Sequence, residues 1–412
     1  MRKSKNTMRA SVVACLFVQV CIGILYLWSV YRSPVVAHYN WTMDAATMVA
    51  SYMIFAFVVG NLIGGIAQIR FGSKAVVTTG CLVFCSGLIM TSFLTPETVD
   101  YMYLTYSLIS GLGCGFAYGN AMFCVIRWMP HRRGLAAGMS AAAFGLSTVI
   151  FAPISRWLLG MDTFGDAAVP MTFRILGITF LIISMVACMF IRTPSDDYLK
   201  SLNLPAAVAS ADSLTPWEVM RRPAFWATFI SCWLLTGLWL ILVPLMVDLG
   251  TDKQISAGLA LLAVSLSGLA NAAGRLILAS LSDKIGRTKT AVLLGVLTTA
   301  CSLGILWLNG PVYIVFVLVA AFTYGGASSI YPALITDLYG PKYASVNYGI
   351  LLLSLGVSSV TFNTISNRLA AETGGYAASF TFAAAAGVIS ILLMVFVIRE
   401  FRWRTEKSPL GQ

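Results

Sequence analysis

Arg275 stands inside the apolar segment 256–281, eight residues before Asp283 and four after Asn271. On a helix, eight residues carry it roughly 12 Å in from the charged end, close to the middle of a lipid bilayer. An ionisable side chain at that depth costs about 2.5–3.5 kcal/mol on insertion scales, which makes it a functional candidate by default. Its planar fork matches a carboxylate in bidentate geometry, and Asn271 lies one turn away on the same helix face. Two partners satisfy such a cation: an anionic substrate, or a buried carboxylate of the chain itself. The 16 Asp and Glu residues fall mostly at segment ends or in loops, none clearly at mid-depth. A small carboxylate anion is therefore the expected partner of Arg275.

The same depth arithmetic brings other side chains near that level. Tyr118 lies nine residues before Arg127, about 13 Å in; Phe144 lies eleven after Arg133, about 16 Å in; Tyr324 lies thirteen before Asp337, about 20 Å in. Leu355, about 12 residues into its own segment, reaches a similar depth, and Tyr26 lies nearer the far side, about 25 Å from Arg9. Tyr331 is about six residues before Asp337. Aromatic residues in membrane helices usually pack or face lipid, and Trp28 and Tyr31 are expected in the interfacial aromatic belt.

These side chains must be held by long apolar elements. Of 412 residues, 58% are hydrophobic and only 10% charged, with a mean hydropathy of +0.83. Soluble domains carry about 25% charged residues, so a cytosolic enzyme, a disordered scaffold and a secreted disulfide module are excluded. Cutting at charge and Gly/Pro clusters leaves twelve segments: 10–31, 43–68, 75–94, 101–126, 134–158, 170–191, 224–247, 256–281, 290–309, 312–336, 344–368 and 375–398. About 20 apolar residues span the hydrocarbon core, and the absence of period-2 alternation makes them helices rather than barrel strands. The fold class is an all-α polytopic membrane protein of twelve transmembrane helices.

Placing the N-terminus inside puts 21 of the 27 Lys and Arg on one side, so both termini are expected in the cytoplasm. The longest polar stretch lies between helices six and seven. It divides the chain into an N-terminal six-helix bundle (1–194), a cytoplasmic linker (195–221) and a C-terminal six-helix bundle (222–412). The halves repeat. Gly138-Met-Ser-Ala-Ala-Ala-Phe-Gly-Leu-Ser147 aligns without a gap to Gly349-Ile-Leu-Leu-Leu-Ser-Leu-Gly-Val-Ser358, and Arg70-Phe-Gly72 to Lys284-Ile-Gly286. Parallel repeats of this kind occur in transporters that bind substrate near the midplane.

With those motifs in place the chain resembles the major facilitator superfamily, whose signature is a charged, Gly-containing turn between helices two and three and again between eight and nine. Ser282-Asp283-Lys284-Ile285-Gly286-Arg287 fits it well, whereas Gln68-Ile69-Arg70-Phe71-Gly72 has Ile69 where the family usually has Asp. The resemblance assigns Asp283, Arg287 and Arg70 to a conformational latch, with its N-terminal copy weakened. Arg127-Trp-Met-Pro-His-Arg-Arg-Gly-Leu-Ala-Ala-Gly138, Arg222-Pro-Ala-Phe-Trp226 and Asn347-Tyr-Gly349 resemble the oxalate/formate antiporter family and the related monocarboxylate transporters. That resemblance implies carriage of small carboxylates across a cell inner membrane, in a cavity that Tyr118, Tyr26 and Tyr324 help to line.

Leu355 departs from the oxalate-carrying relatives, which look as if they place a second cation there. One midplane cation suits one carboxylate, because a second charge would be poorly compensated in low dielectric. Phe144, Leu352 and Leu355 add an apolar lining for a short alkyl group. The expected substrates are monocarboxylates of the lactate, pyruvate or formate type. Some monocarboxylate carriers look as if they place an acid where Asn271 stands. Family analogy favours proton-coupled symport, with protons as second partner, and obligatory oxalate/formate-type anion exchange is the alternative.

Other classes lack their residues. A membrane enzyme would need clustered His, Asp, Glu or Cys at one depth; His38 and His131 lie in loops, and the nine cysteines form no CxxC pair and read as small buried hydrophobes. No catalysis, cofactor, metal or nucleic acid is expected, and the partner besides substrate is the lipid bilayer around a monomer. A channel would need a ring of repeated ligands. The small-xxx-small motifs, such as Gly60-Asn-Leu-Ile-Gly64, let helices approach closely, and Pro153, Pro244 and Pro332 are expected to kink helices five, seven and ten.

Overall fold

The computed structural model describes residues 2–195, 198–199 and 213–407, so 196–197 and 200–212 of the expected linker lie outside the described residues, as does the side chain of Tyr26. Every described element is a helix. α1 runs Arg2–Ile22 and continues through a 3-10 turn, Gly23–Leu27, into Trp28–Tyr39. The run Met43–Thr91 holds α2 (43–71) and α3 (73–91), broken at Gly72. α4 is Gly111–Trp128, led in by a 3-10 turn, Pro96–Tyr101, and a π-helical stretch, Tyr103–Ser110. α5 is Arg133–Leu159 and α6 Ala168–Phe190. After a single turn, Pro216–Met220, come α7 (Pro223–Asp252), α8 (Ala257–Ile285), α9 (Arg287–Trp307), α10 (Val312–Tyr339), α11 (Ala344–Thr373) and α12 (Ala377–Lys407). Nine helical runs among the described residues are long and apolar enough to cross a membrane, and the run Met43–Thr91 contains two crossings. These make ten, and α1 and α8 complete the twelve helices of the fold.

The internal repeat is visible in the backbone. Gly72 (φ 76°, ψ 162°) and Gly286 (φ 97°, ψ 144°) break their helices in nearly the same conformation, one that L side chains rarely adopt. These are the two turns that the sequence motif pairs. Pro153 and Pro332 sit inside α5 and α10.

Burial is arranged as in a protein solvated by lipid. Phe55, Trp157, Ile182, Trp307 and Leu392 are more than half exposed, whereas Gln19, Asn61, Asn120, Arg275 and Asn347 are buried. Interior hydroxyls such as Thr91, Thr228 and Thr336 donate to the carbonyl four residues earlier, which satisfies them without water.

The chain divides into two compact units that exchange short segments relative to the sequence halves. One holds residues 1–131, 139–211 and 341–349; the other holds 132–138, 212–340 and 350–412. The start of α5 is thus grouped with α7–α10 and α12, and the start of α11 with α1–α4 and α6. The core of the second unit is apolar, built around Leu238, Leu242, Tyr313, Val317 and Phe362.

Candidate functional site

Arg275 is 4% exposed, and its Nε donates to Asn271 Oδ1 at 2.9 Å across one turn of α8. The bond fixes the plane of the guanidinium. The turn itself is seated on α10 by two glycines: a Cβ on Gly274 would lie 2.0 Å from the carbonyl oxygen of Phe322, and one on Gly325 would lie 2.0 Å from that of Asn271. Backbone touches backbone there, so the Asn271–Arg275 pair is held against the part of α10 that carries Tyr324. Tyr324 stacks on Trp239 of α7, with ring centroids 5.8 Å apart and planes 26° apart. Leu355 on α11 is half-buried and Leu352 buried. Tyr331 is buried, its hydroxyl 3.2 Å from Ser231 Oγ, which in turn lies 2.8 Å from Ser390 Oγ on α12. That network ties α7, α10 and α12 together.

In the other unit, Tyr118 and Phe144 meet edge-on at 4.8 Å, and Phe57 of α2 lies 5.2 Å from Tyr118 and 6.1 Å from Phe144. Two residues beyond the sequence reading join them. Gln19 Nε2 donates to the Tyr118 carbonyl at 3.0 Å, and the Asn61 amide packs against Gly119. Both are buried, and among the described residues Gln19 Oε1 and both polar atoms of the Asn61 amide have no hydrogen-bond partner. The depth count that placed Tyr118 also finds these two, since Gln19 is ten residues after Arg9 and Asn61 nine before Arg70. Trp28 and Tyr31, expected in the interfacial belt, are packed inside the bundle and do not face lipid. Trp28 Nε1 donates to the Ala46 carbonyl at 2.6 Å, the Tyr31 hydroxyl lies 2.7 Å from Ser155 Oγ, and both rings are buried.

A second cluster lies at the charged end of α8. Asp283 accepts the backbone N–H groups of Gly134 (3.0 Å) and Leu135 (2.9 Å) at the start of α5, and it is ion-paired with Arg287. Arg287 Nε reaches Asp337 Oδ2 at 3.0 Å, and Arg133 Nη1 reaches Asp337 Oδ1 at 2.7 Å. The carboxylate of Asp283 complements the positive end of the α5 dipole as well as two otherwise orphaned donors. Arg133 and Asp337 belong to this cluster by geometry alone. At the repeat-related turn, Ile69 is exposed and Gln68 Nε2 donates to Ser73 Oγ at 2.6 Å. Arg70 there is exposed, lies over the Phe71 ring at 5.6 Å, and among the described residues makes no ion pair. The start of α11 is held by neutral groups instead: Ser345 Oγ donates to Asn120 Oδ1 at 3.4 Å, and Tyr348 packs edge-on against Phe123 at 5.7 Å.

The profile of the Major Facilitator Superfamily matches residues 12–363. The chain belongs to that superfamily. Solved members share its architecture: the fucose:proton symporter of Escherichia coli superposes with a TM-score of 0.70 at 14% identity, covering 94% of this chain and 98% of that one. Among superfamily relatives, the oxalate:formate antiporter of Oxalobacter formigenes is 28% identical, over 94% of this chain and 90% of its own length. Monocarboxylate transporter 13 of Rattus norvegicus is 26% identical over 88% and 82%. Apicoplast pyruvate carrier 1 of Toxoplasma gondii is 24% identical over 88% and 84%. As a superfamily member with this fold, the chain is a multi-pass membrane transporter.

Proposed function

We propose that this transporter carries small monocarboxylates of the lactate, pyruvate or formate type by alternating access, with Arg275 as the group that binds the carboxylate. The observation that carries this reading is a buried guanidinium whose plane is set by a neutral amide, Asn271. The planar fork of a guanidinium matches a carboxylate in bidentate geometry. Tyr118, Phe144 and Tyr324 are assigned to the substrate cavity, together with Tyr26 and, more peripherally, Tyr331. Leu355 and Leu352 supply the apolar wall, and Leu355 in place of a cation favours one carboxylate over two. The cluster of Asp283 and Arg287, with Arg70 at the repeat-related turn, is assigned to the change of conformation.

Coupling is proposed to be proton-linked symport in a cell inner membrane, with both termini cytoplasmic and the chain monomeric. The relative named as an oxalate:formate antiporter supports obligatory exchange as the second reading. Uptake of radiolabelled lactate, formate and oxalate into proteoliposomes separates the two. Symport requires gradient-driven accumulation of lactate or formate in empty vesicles. Uptake seen only in preloaded vesicles, and strongest with oxalate, would establish exchange and overturn the inference drawn from Leu355.

A further inference from the structure

A groove of about 470 Å³ runs along the outer surface between α1 and α6. Its α1 wall is Ala10, Val13, Ala14 and Phe17, spaced as one helical stripe, and its α6 wall includes Ile182, Val186 and Phe190. Every lining residue is apolar, and the walls extend about 12 Å along each helix. Phe17, Ile182 and Phe190 are more than half exposed, so the groove opens outward from the helix pair.

Three cations surround one end. Arg9 immediately precedes Ala10, and Arg192 follows Phe190 by two residues. Lys74 at the start of α3 reaches the Met189 carbonyl with Nζ at 3.5 Å. All three side chains are exposed, and none is ion-paired among the described residues. The backbone of Arg192 is also held in place. Its carbonyl accepts from Ser11 Oγ (2.9 Å), Trp128 Nε1 (2.7 Å) and Cys124 Sγ (3.4 Å), and its N–H donates to Ser11 Oγ (3.0 Å). The segment leaving α6 is thereby tied to α1 and α4 beside Arg9.

We propose that this groove binds an anionic phospholipid, one acyl chain lying between α1 and α6 and the phosphate held among Arg9, Lys74 and Arg192. The charge pattern selects this occupant: an apolar slot that ends at three flanking cations fits a molecule with a hydrocarbon tail and a negative head. Such cations at a membrane surface attract anionic headgroups, and the long side chains reach the interface while their stems stay on apolar surface.

The test uses the full chain in phosphatidylcholine vesicles doped with either phosphatidylglycerol or phosphatidylcholine that carries a photoactivatable diazirine in one acyl chain. After irradiation, crosslinked peptides are mapped. The phosphatidylglycerol probe is expected to label 10–17 and 182–190 about tenfold more than the phosphatidylcholine probe. A combined Arg9→Gln, Lys74→Gln, Arg192→Gln variant is expected to reduce it to the phosphatidylcholine level. Ala10→Phe, an exposed position that fills the groove mouth and keeps the charges, is expected to lower labelling by both probes there. Equal labelling by the two probes, or labelling unaffected by removing the three charges in a protein that elutes and transports normally, would overturn the proposal.

Discussion

At the scale of single residues, the Asn271–Arg275 pair separates charge from geometry. Lysine at 275 keeps a cation at the same depth, but it offers a point charge on a flexible stem and cannot place Nε against Asn271 Oδ1 while presenting two further donors. Hydrogen bonds to charged groups contribute about 1.5–3 kcal/mol each, so Arg275→Lys is expected to weaken substrate binding about tenfold or more. The binding constant from transport competition measures this, with gel filtration as control; unchanged affinity would remove Arg275 from the site. Asn61 presents the opposite case. A buried amide without partners costs about 1–3 kcal/mol, so Asn61→Leu, close in shape, is expected to raise the thermal unfolding midpoint while slowing uptake. A variant that is both more stable and fully active would leave Asn61 with no part in transport.

At the scale of elements, the first turn of α5 is held by a carboxylate that is remote in sequence. Asp283 accepts from Gly134 and Leu135, and Arg287, Asp337 and Arg133 complete the charge balance. Asp283→Asn keeps the shape but removes the charge from both backbone bonds and from the Arg287 pair. The Gly134 and Leu135 amides are expected to exchange hydrogen about 10–100-fold faster, the change corresponding to about 1.5–3 kcal/mol. Mass spectrometry of the peptide spanning them reads this, and unchanged protection would mean that packing alone docks α5. The twelve helices were legible because a 20-residue apolar run has few other ways to satisfy its backbone in lipid. The paired turns were legible because only glycine tolerates the conformation that Gly72 and Gly286 adopt. Arg133 and Asp337 were not, since nothing local couples residues 204 positions apart. Hydropathy likewise could not separate a packed aromatic from a belt aromatic, and Trp28 and Tyr31 fell on the packed side. Depth and turn counts pair Tyr118 with Phe144 and Asn271 with Arg275; the amides of Gln19 and Asn61 sit at the same depth but carry no charge, so the cost of burying them gives a weaker signal in the sequence.

For the whole molecule, the distribution of cations predicts its sidedness. Counting 21 of 27 Lys and Arg on one face is a large bias by the rule that basic loops stay in the cytoplasm. The turns at Gly72 and Gly286 carry five of these cations, Arg70, Lys74, Lys284, Arg287 and Lys289, whereas the connections near Thr95 and Gly310 carry almost none. Alkaline phosphatase fused after Thr95 or Gly310 in a bacterial host is therefore expected to be active, and fused after Gly72 or Gly286 inactive; a green fluorescent protein at the C-terminus is expected to fluoresce. The consequence extends past topology. Arg9, Lys74 and Arg192, which flank the groove, and Asp283, Arg287, Asp337 and Arg133, which hold the start of α5, would all then face the cytoplasm, where an anionic leaflet attracts the first set and bulk salt screens the exposed edge of the second. The reverse activity pattern would place these residues on the outer side, so that a lipid bound in the groove would belong to the outer leaflet.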